Sequence, residues 1–302
     1  MSTNPCPFSG SMVALVTPFR RGEVDLEALE ALVEDQIVGG QTALIPCGST
    51  GEAATLSHEE HTQVVRAVVK AARGRVPVIA GTGSNSTAEA IRLTCEAEQA
   101  GAAGALLISP YYNKPTQAGI VEHYRAVSAA TKLPLIVYNI PARTGSTIEP
   151  ATLARLAEVD NVVGLKDSTG SLDRVIDTIA QSGSRLAVFS GDDSLTLPII
   201  AAGGRGVISA VANLVPRDIA QMTNAALAGH WDEARRRLYE LLDLIRACFL
   251  ETNPIPIKAA LAMIGRCQDE VRLPLLPMSA QNRAQLRAAL AAHKLPLVAA
   301  AR

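Results

Sequence analysis

Aromatic side chains are scarce in this chain: Phe, Trp and Tyr together make up 3% of 302 residues, with a single Trp. The hydrophobic share is nevertheless 48%, so the core must be built from Val, Leu, Ile and Ala, as in α/β enzymes. With that much apolar content, disorder and low complexity are excluded as descriptions of the whole chain. An excess of charge of one sign is also missing. A formal net charge of −1 and a pI near 6.5 leave no electrostatic footprint for nucleic acid or an anionic membrane. The five cysteines, Cys6, Cys47, Cys95, Cys248 and Cys267, are odd in number and scattered. They form no C-x-x-C pair, which argues against a disulfide framework and a zinc site and fits a reducing compartment. No stretch approaches the roughly 18 apolar residues of a membrane span. The start, Met1-Ser2-Thr3-Asn4-Pro5, has no basic segment leading into an apolar one. A cytoplasmic enzyme of small-molecule chemistry is the expectation, without nucleic-acid or membrane partners.

Lysine is scarce too: of 28 Lys and Arg residues, only six are Lys. Arginine stays protonated and cannot attack a carbonyl, so each lysine can be weighed in turn. Lys70, Lys114, Lys132 and Lys294 fall on polar helix faces, in loops or near the tail, where a solvated charge is the default. Lys258 opens an apolar helix, from which it is expected to snorkel outward as a structural cation. Lys166 stands apart, inside the apolar run Val162-Val163-Gly164-Leu165-Lys166-Asp167. A lysine pointing from a strand into a barrel or cleft loses hydration, which disfavours its charged form and frees a nucleophile. The plain alternative is a buried amine paired with Asp167.

Eight short apolar runs recur, each followed by a helical pattern: Met12–Val16, Thr42–Ile45, Val76–Ala80, Ala105–Ile108, Pro134–Tyr138, Val162–Leu165, Leu186–Phe189 and Gly206–Ser209. Continuous rather than alternating hydrophobicity is the mark of parallel strands buried on both faces. Ser57-His58-Glu59-Glu60 and Ser86-Thr87-Ala88-Glu89 read as capping boxes, and Gly74, Gly101 and Gly183 as helix C-caps. Eight βα units predict a (β/α)8 TIM barrel. A doubly wound sheet is weaker, because no G-x-G-x-x-G opens a helix after a strand. Beyond Val215-Pro216 the pattern is all helical, over Pro216–Ala228, Trp231–Phe249, Pro254–Ile264 and Ala280–His293. The expected division is a catalytic barrel over 1–225 and a C-terminal helical extension over 226–302.

In such a barrel the active site lies at the C-terminal strand ends. That rule selects Pro46-Cys47-Gly48-Ser49-Thr50-Gly51-Glu52 after the second strand, with two hydroxyls and free N–H groups for an anion. It also selects Ser109-Pro110-Tyr111-Tyr112-Asn113-Lys114-Pro115 after the fourth, Tyr138-Asn139-Ile140-Pro141-Ala142-Arg143-Thr144-Gly145 after the fifth, Lys166 on the sixth and Ile208-Ser209 on the eighth. Singly, each has a bland reading: a turn, an interior filler or a surface cation. Together they supply an amine nucleophile, an acid/base phenol, a carboxylate cradle and an arginine for a second carboxylate, the needs of a Schiff-base aldolase. His58-Glu59-Glu60-His61 is not H-E-x-x-H and is expected to hold no metal. Gly81-Thr82-Gly83-Ser84 lacks the lysine of a phosphate loop and reads as a turn. Cys47 would be reactive only if exposed.

These segments, with Gly164-Leu165-Lys166-Asp167 and Gly206-Val207-Ile208-Ser209, resemble the dihydrodipicolinate synthase family of pyruvate-dependent aldolases, which includes N-acetylneuraminate lyase. The resemblance runs from about Gly10 to the final helix. It implies condensation of pyruvate with L-aspartate 4-semialdehyde, opening diaminopimelate and lysine biosynthesis, without metal or organic cofactor. By the same resemblance Lys166 would form the imine, and Ser49 and Thr50 would hold the pyruvate carboxylate with the Ile208 backbone close by. Tyr138, Thr50 and Tyr112 would relay protons, Tyr112 reaching in from a neighbouring subunit of a homotetramer built as a dimer of dimers. Arg143 would bind the semialdehyde carboxylate. Ser49 stands where many relatives have Thr, and the hydroxyl is kept. Ala53, Ala54, His58, His61, Asn85, Glu89 and Tyr111 would match a cleft for inhibitory L-lysine, although Glu89 also suits a capping box and the two histidines suit a solvent-facing first turn. Two rivals remain: a lyase of the same superfamily acting on a sugar acid such as N-acetylneuraminate or 2-keto-3-deoxygluconate, and a catalytically silent barrel.

Overall fold

Eight strands run parallel and curl until the first and last meet. They are β1 (Gly10–Ala14), β2 (Ala43–Ile45), β3 (Ile79–Gly81), β4 (Gly104–Ile108), β5 (Leu135–Asn139), β6 (Val162–Asp167), β7 (Ala187–Ser190) and β8 (Gly206–Ser209). The computed structural model describes residues 6–298, so Met1-Ser2-Thr3-Asn4-Pro5 lies outside the described residues. Strand order is β2-β1-β8-β7-β6-β5-β4-β3. A parallel bridge from Leu44 to Val78 links β2 to the segment before β3 and closes the ring. Every expected strand is present, with ends shifted by up to three residues. This is the TIM barrel that the run of buried apolar segments implies.

The connecting helices are α1 (Leu26–Val38), α2 (His58–Ala72), α3 (Thr87–Gln99), α4 (Gln117–Ala130), the short α5 (Pro141–Thr144), α6 (Pro150–Leu156), α7 (Leu172–Ser182), α8 (Thr196–Ala201) and α9 (Pro216–Leu227). Ser57 and Glu60 form a full capping box at α2: the serine hydroxyl accepts from Glu60 N–H, and the carboxylate accepts from Ser57 N–H at 2.8 Å. The second expected box is only half made. Ser86 caps α3, but the Glu89 carboxylate turns away to Ser84 Oγ at 2.5 Å and His58 Nε2 at 2.7 Å. Charged and hydroxyl partners outbid one backbone N–H.

The barrel interior is filled by Met12, Ala14, Ile45, Ile79, Leu106, Ile136, Tyr138, Phe189 and Ile208. A separate apolar layer lies between strands and helices, and the last three helices share it: α10 (Trp231–Ala247), α11 (Ile255–Met263) and α12 (Ala280–Ala292). Leu241 and Leu244 of α10, Ile257 and Leu261 of α11, and Leu286 and Leu290 of α12 belong to one cluster with Val13, Val33 and Leu44 of the barrel. No described helix is long and apolar enough to cross a membrane.

Lys258 corrects an expectation. All of α11 except Ala262 is buried, so the helix has no wet face along which a lysine could snorkel. Its side chain is fully buried, with Nζ 2.6 Å from Glu52 Oε1 and 4.0 Å above the Phe19 ring. Burial pushes its pKa down while Glu52 pushes it back up. The sequence pattern also missed a small hairpin, Phe19–Arg20 against Glu23–Val24, turned at Arg21 and Gly22 with φ of +58° and +85°. Two residues per strand are too few to show a period.

Candidate active site

Parallel register places Tyr138 of β5 beside Lys166 of β6, and Lys166 beside Phe189 of β7. All three are buried at the C-terminal end of the barrel. Lys166 Nζ lies 4.2 Å from the Tyr138 ring centroid. The plain alternative, a pair with Asp167, is not made: Asp167 Oδ1 accepts from Thr169 N–H at 3.0 Å and Thr169 Oγ1 at 2.7 Å. The buried lysine therefore stands against a phenol ring rather than a carboxylate. Gly191, just after β7, makes room for its stem, since a Cβ there would sit 3.0 Å from Lys166 Cε and 2.0 Å from Ser168 Oγ.

The turn after β2 is wound tightly, with Gly51 N–H donating to Gly48 O at 3.0 Å and Glu52 N–H to Ser49 O at 3.2 Å. Ser49 is half-buried and Thr50 buried. Thr50 Oγ1 accepts from Asn253 Nδ2 at 2.8 Å, and the Asn253 carbonyl accepts from Arg143 Nη2 at 2.7 Å. One residue of the C-terminal extension thus joins the hydroxyl of the expected pyruvate cradle to the arginine of the expected semialdehyde site. Arg143 sits on α5, which starts with proline and ends in Gly145 at φ +70°. Asn139 holds the loop that follows by a reciprocal pair with the Ile148 backbone, at 3.1 and 3.2 Å.

Ile208 is buried on β8, and the next residue, Ser209, is hydrogen-bonded to Asp193 Oδ1. Asp193 is fully enclosed, and burial pushes its pKa up to about 6. Burial likewise raises that of neighbouring Asp192, opposed first by Lys166. Asn253, Asp192 and Asp193 were missed by sequence reasoning. The two aspartates follow an apolar strand directly, so the strand-end rule could have found them, whereas Asn253 is in no βα loop. Cys47 is buried, and desolvation pushes its thiol far above the usual range, which removes thiolate character.

Tyr112 is 88% exposed with φ +72°. Neighbouring Tyr111 is half-buried. Of the residues expected to bind lysine, His58 and Glu89 are hydrogen-bonded, Nε2 to Oε1 at 2.7 Å, and Ser84 and His58 hold the Glu89 carboxyl below its ordinary range. The Asn85 carbonyl accepts from Asn113 Nδ2 at 2.9 Å, while Ala53 is half-buried and Ala54 exposed. His61 differs from the solvent-facing expectation. It is 5% exposed, donates from Nε2 to Gly81 O at 2.7 Å, and burial lowers its pKa. Its face of α2 is the one packed on the barrel. No cluster of three or more His, Cys, Asp or Glu suited to a metal occurs among the described residues.

A (β/α)8 barrel with a buried lysine near the end of its sixth strand, packed on a tyrosine, has the arrangement that a lysine-dependent aldolase requires. The model of the dihydrodipicolinate synthetase family matches residues 7–293, and the chain belongs to that family. A 4-hydroxy-tetrahydrodipicolinate synthase from Syntrophobacter fumaroxidans is 53% identical over 289 residues, covering 95% of this chain and 99% of the relative. The crystal structure of dihydrodipicolinate synthase from Aquifex aeolicus superposes with a TM-score of 0.95 at 48% identity, over 97% of this chain and 100% of that one. A synthase from Cyanidioschyzon merolae with lysine bound has a TM-score of 0.93 at 40% identity, over 95% and 99%. The chain is accordingly an enzyme, a lyase that forms 4-hydroxy-tetrahydrodipicolinate in the diaminopimelate route to lysine.

Proposed function

We propose that this enzyme condenses pyruvate with L-aspartate 4-semialdehyde through an imine on Lys166. The contact of the buried Lys166 amine with the Tyr138 ring, at the C-terminal end of the barrel, supports this reading most directly. The neutral amine attacks the pyruvate ketone, and the carbinolamine loses water to give an iminium whose charge acidifies the adjacent methyl group. A proton leaves that methyl to form the enamine, which attacks the semialdehyde carbonyl. The substrate's own amino group then displaces Lys166 by transimination as the ring closes, and the enzyme is regenerated. Tyr138 carries protons in the imine steps. Ser49 and Thr50 hold the pyruvate carboxylate beside the Ile208 backbone, and Arg143 takes that of the semialdehyde as a charge-assisted pair. No step needs a metal or organic cofactor.

The exposed Tyr112 supports a site completed across an interface. On this reading Tyr112 enters a neighbour's cavity to serve the relay of Tyr138, Thr50 and Tyr112 in a homotetramer of dimers, located in the cytoplasm. Residues 1–225 act as the catalytic barrel, with 226–302 as its extension. L-lysine binds at Ala53, Ala54, His58, His61, Asn85, Glu89 and Tyr111 and inhibits. The His58–Glu89 pair supports a polar lysine cleft, with His61 acting from behind by fixing Gly81. The test is turnover of aspartate semialdehyde with pyruvate, set against cleavage of N-acetylneuraminate and 2-keto-3-deoxygluconate. Preference for either sugar acid would reject the synthase reading.

A further inference from the structure

We infer that the buried Lys258–Glu52 ion pair is a positioning device, by which the C-terminal extension holds the Ser49–Thr50 turn in the geometry that binds pyruvate. The inference rests on the reading of that turn as the carboxylate cradle. Glu52 ends the turn in left-handed backbone, φ +52° and ψ +37°, a conformation that a non-glycine residue keeps only where its surroundings dictate it. What dictates it here is the far end of the chain. Glu52 Oε1 accepts from Lys258 Nζ at 2.6 Å, and Oε2 accepts from the Arg272 N–H at 3.0 Å. Both side chains of the pair are essentially unexposed, at 0% and 1%. Thr17 Oγ1 holds the Gly51 carbonyl at 2.7 Å from the barrel side.

Stability alone does not account for such a pair. A buried ion pair roughly breaks even against apolar residues of the same volume, and its directional bonds are what an apolar pair cannot supply. Here those bonds fix the carboxylate of Glu52, two residues along the chain from the Thr50 hydroxyl. The distance between partners in sequence, 206 residues, makes the extension part of the site rather than an appendage.

The test uses the full-length enzyme and three readouts: thermal midpoint, the pyruvate concentration for half-maximal borohydride trapping at Lys166, and the semialdehyde KM. Lys258→Met should raise the pyruvate half-saturation roughly tenfold, as expected for one lost hydrogen bond of consequence. It should leave the semialdehyde KM within about twofold, with complete trapping at saturating pyruvate. The neutral pair Glu52→Gln with Lys258→Met removes the stranded charge, so the thermal midpoint should recover while the pyruvate half-saturation stays high. A merely structural pair would restore both together, and that result, or unchanged pyruvate dependence in either variant, overturns the inference. If Lys258→Met does not fold, the double variant decides alone by its pyruvate half-saturation. Failure of the wild type to trap pyruvate at Lys166 would instead reject the functional reading beneath it.

Discussion

Gly191→Ala is a small change with a calculable effect, because the methyl group it adds has nowhere to go. The new Cβ would lie 2.0 Å from Ser168 Oγ, 2.9 Å from the Asp167 carbonyl and 3.0 Å from Lys166 Cε. The serine hydroxyl can rotate aside, but the carbonyl belongs to β6 and also accepts from Gly191 N–H at 2.7 Å. Lys166 is left to move, by about 0.4 Å if ordinary contact begins near 3.4 Å. Overpacking of this kind costs about 1–3 kcal/mol, or roughly 2–5 °C of thermal midpoint for a chain of this size. A nucleophile displaced by about 1 Å loses on the order of 100-fold in rate. Scaled to about 0.4 Å, the fall in imine formation should be roughly sixfold, read in single-turnover borohydride trapping with mass spectrometry. Adding Ser168→Ala relieves the closest clash alone, so the midpoint should rise again while the rate stays low. Imine formation at the wild-type rate in Gly191→Ala would refute the claim that this glycine exists to seat Lys166.

Tyr138→Phe should lower kcat by roughly 10²–10⁴, the usual loss of a general acid/base, whereas Arg143→Ala should weaken semialdehyde use and spare the pyruvate imine. Equal loss of imine formation in both would contradict these separate roles. Glu89→Ala should shift any inhibition by L-lysine at least roughly tenfold upward in concentration, as removal of one charged partner does; a titration showing neither lysine binding nor inhibition in the wild type would reject the regulatory site. His123 is buried, and burial pushes its pKa down to about 4. The unfolded chain, with histidine near 6.5, binds that proton first, so the His123 contribution is intact above pH 6.5 and is lost as pH falls towards 4, by about 3 kcal/mol. Across that window, denaturant melts should show the stability difference between wild type and His123→Phe shifting by about 3 kcal/mol in the variant's favour as the pH drops, and parallel curves would count against it. Tyr112, if it completes a neighbour's site, requires assembly, and a fully active monomer in sedimentation would exclude that role.

The barrel was legible because its strands are buried on both faces and so appear as unbroken apolar runs; Val162–Leu165 and Gly206–Ser209 were placed almost to the residue. Lys166 was legible for the same reason, as the one lysine interrupting such a run. Lys258 was misjudged because a helix buried all round has no polar face by which to recognise its setting, and its partner Glu52 is 206 residues away. Glu89 fitted a capping spacing, yet Ser84 and His58 compete for the same carboxylate from a loop and a neighbouring helix. His61 lies three residues from solvent-facing His58, close enough in sequence to be grouped with it and far enough round the helix to be buried. Asn253 joins Thr50 to Arg143 through space, and no spacing rule connects those three positions.

The central claim is that Lys166 is the nucleophile, and peptide mapping after borohydride reduction in the presence of pyruvate tests it most directly. The wild type should gain one reduced pyruvate on the peptide carrying Lys166, and Lys166→Ala should remain folded, gain none and lose nearly all turnover. Label on the peptide carrying Lys258, or undiminished labelling and turnover in Lys166→Ala, would contradict the account.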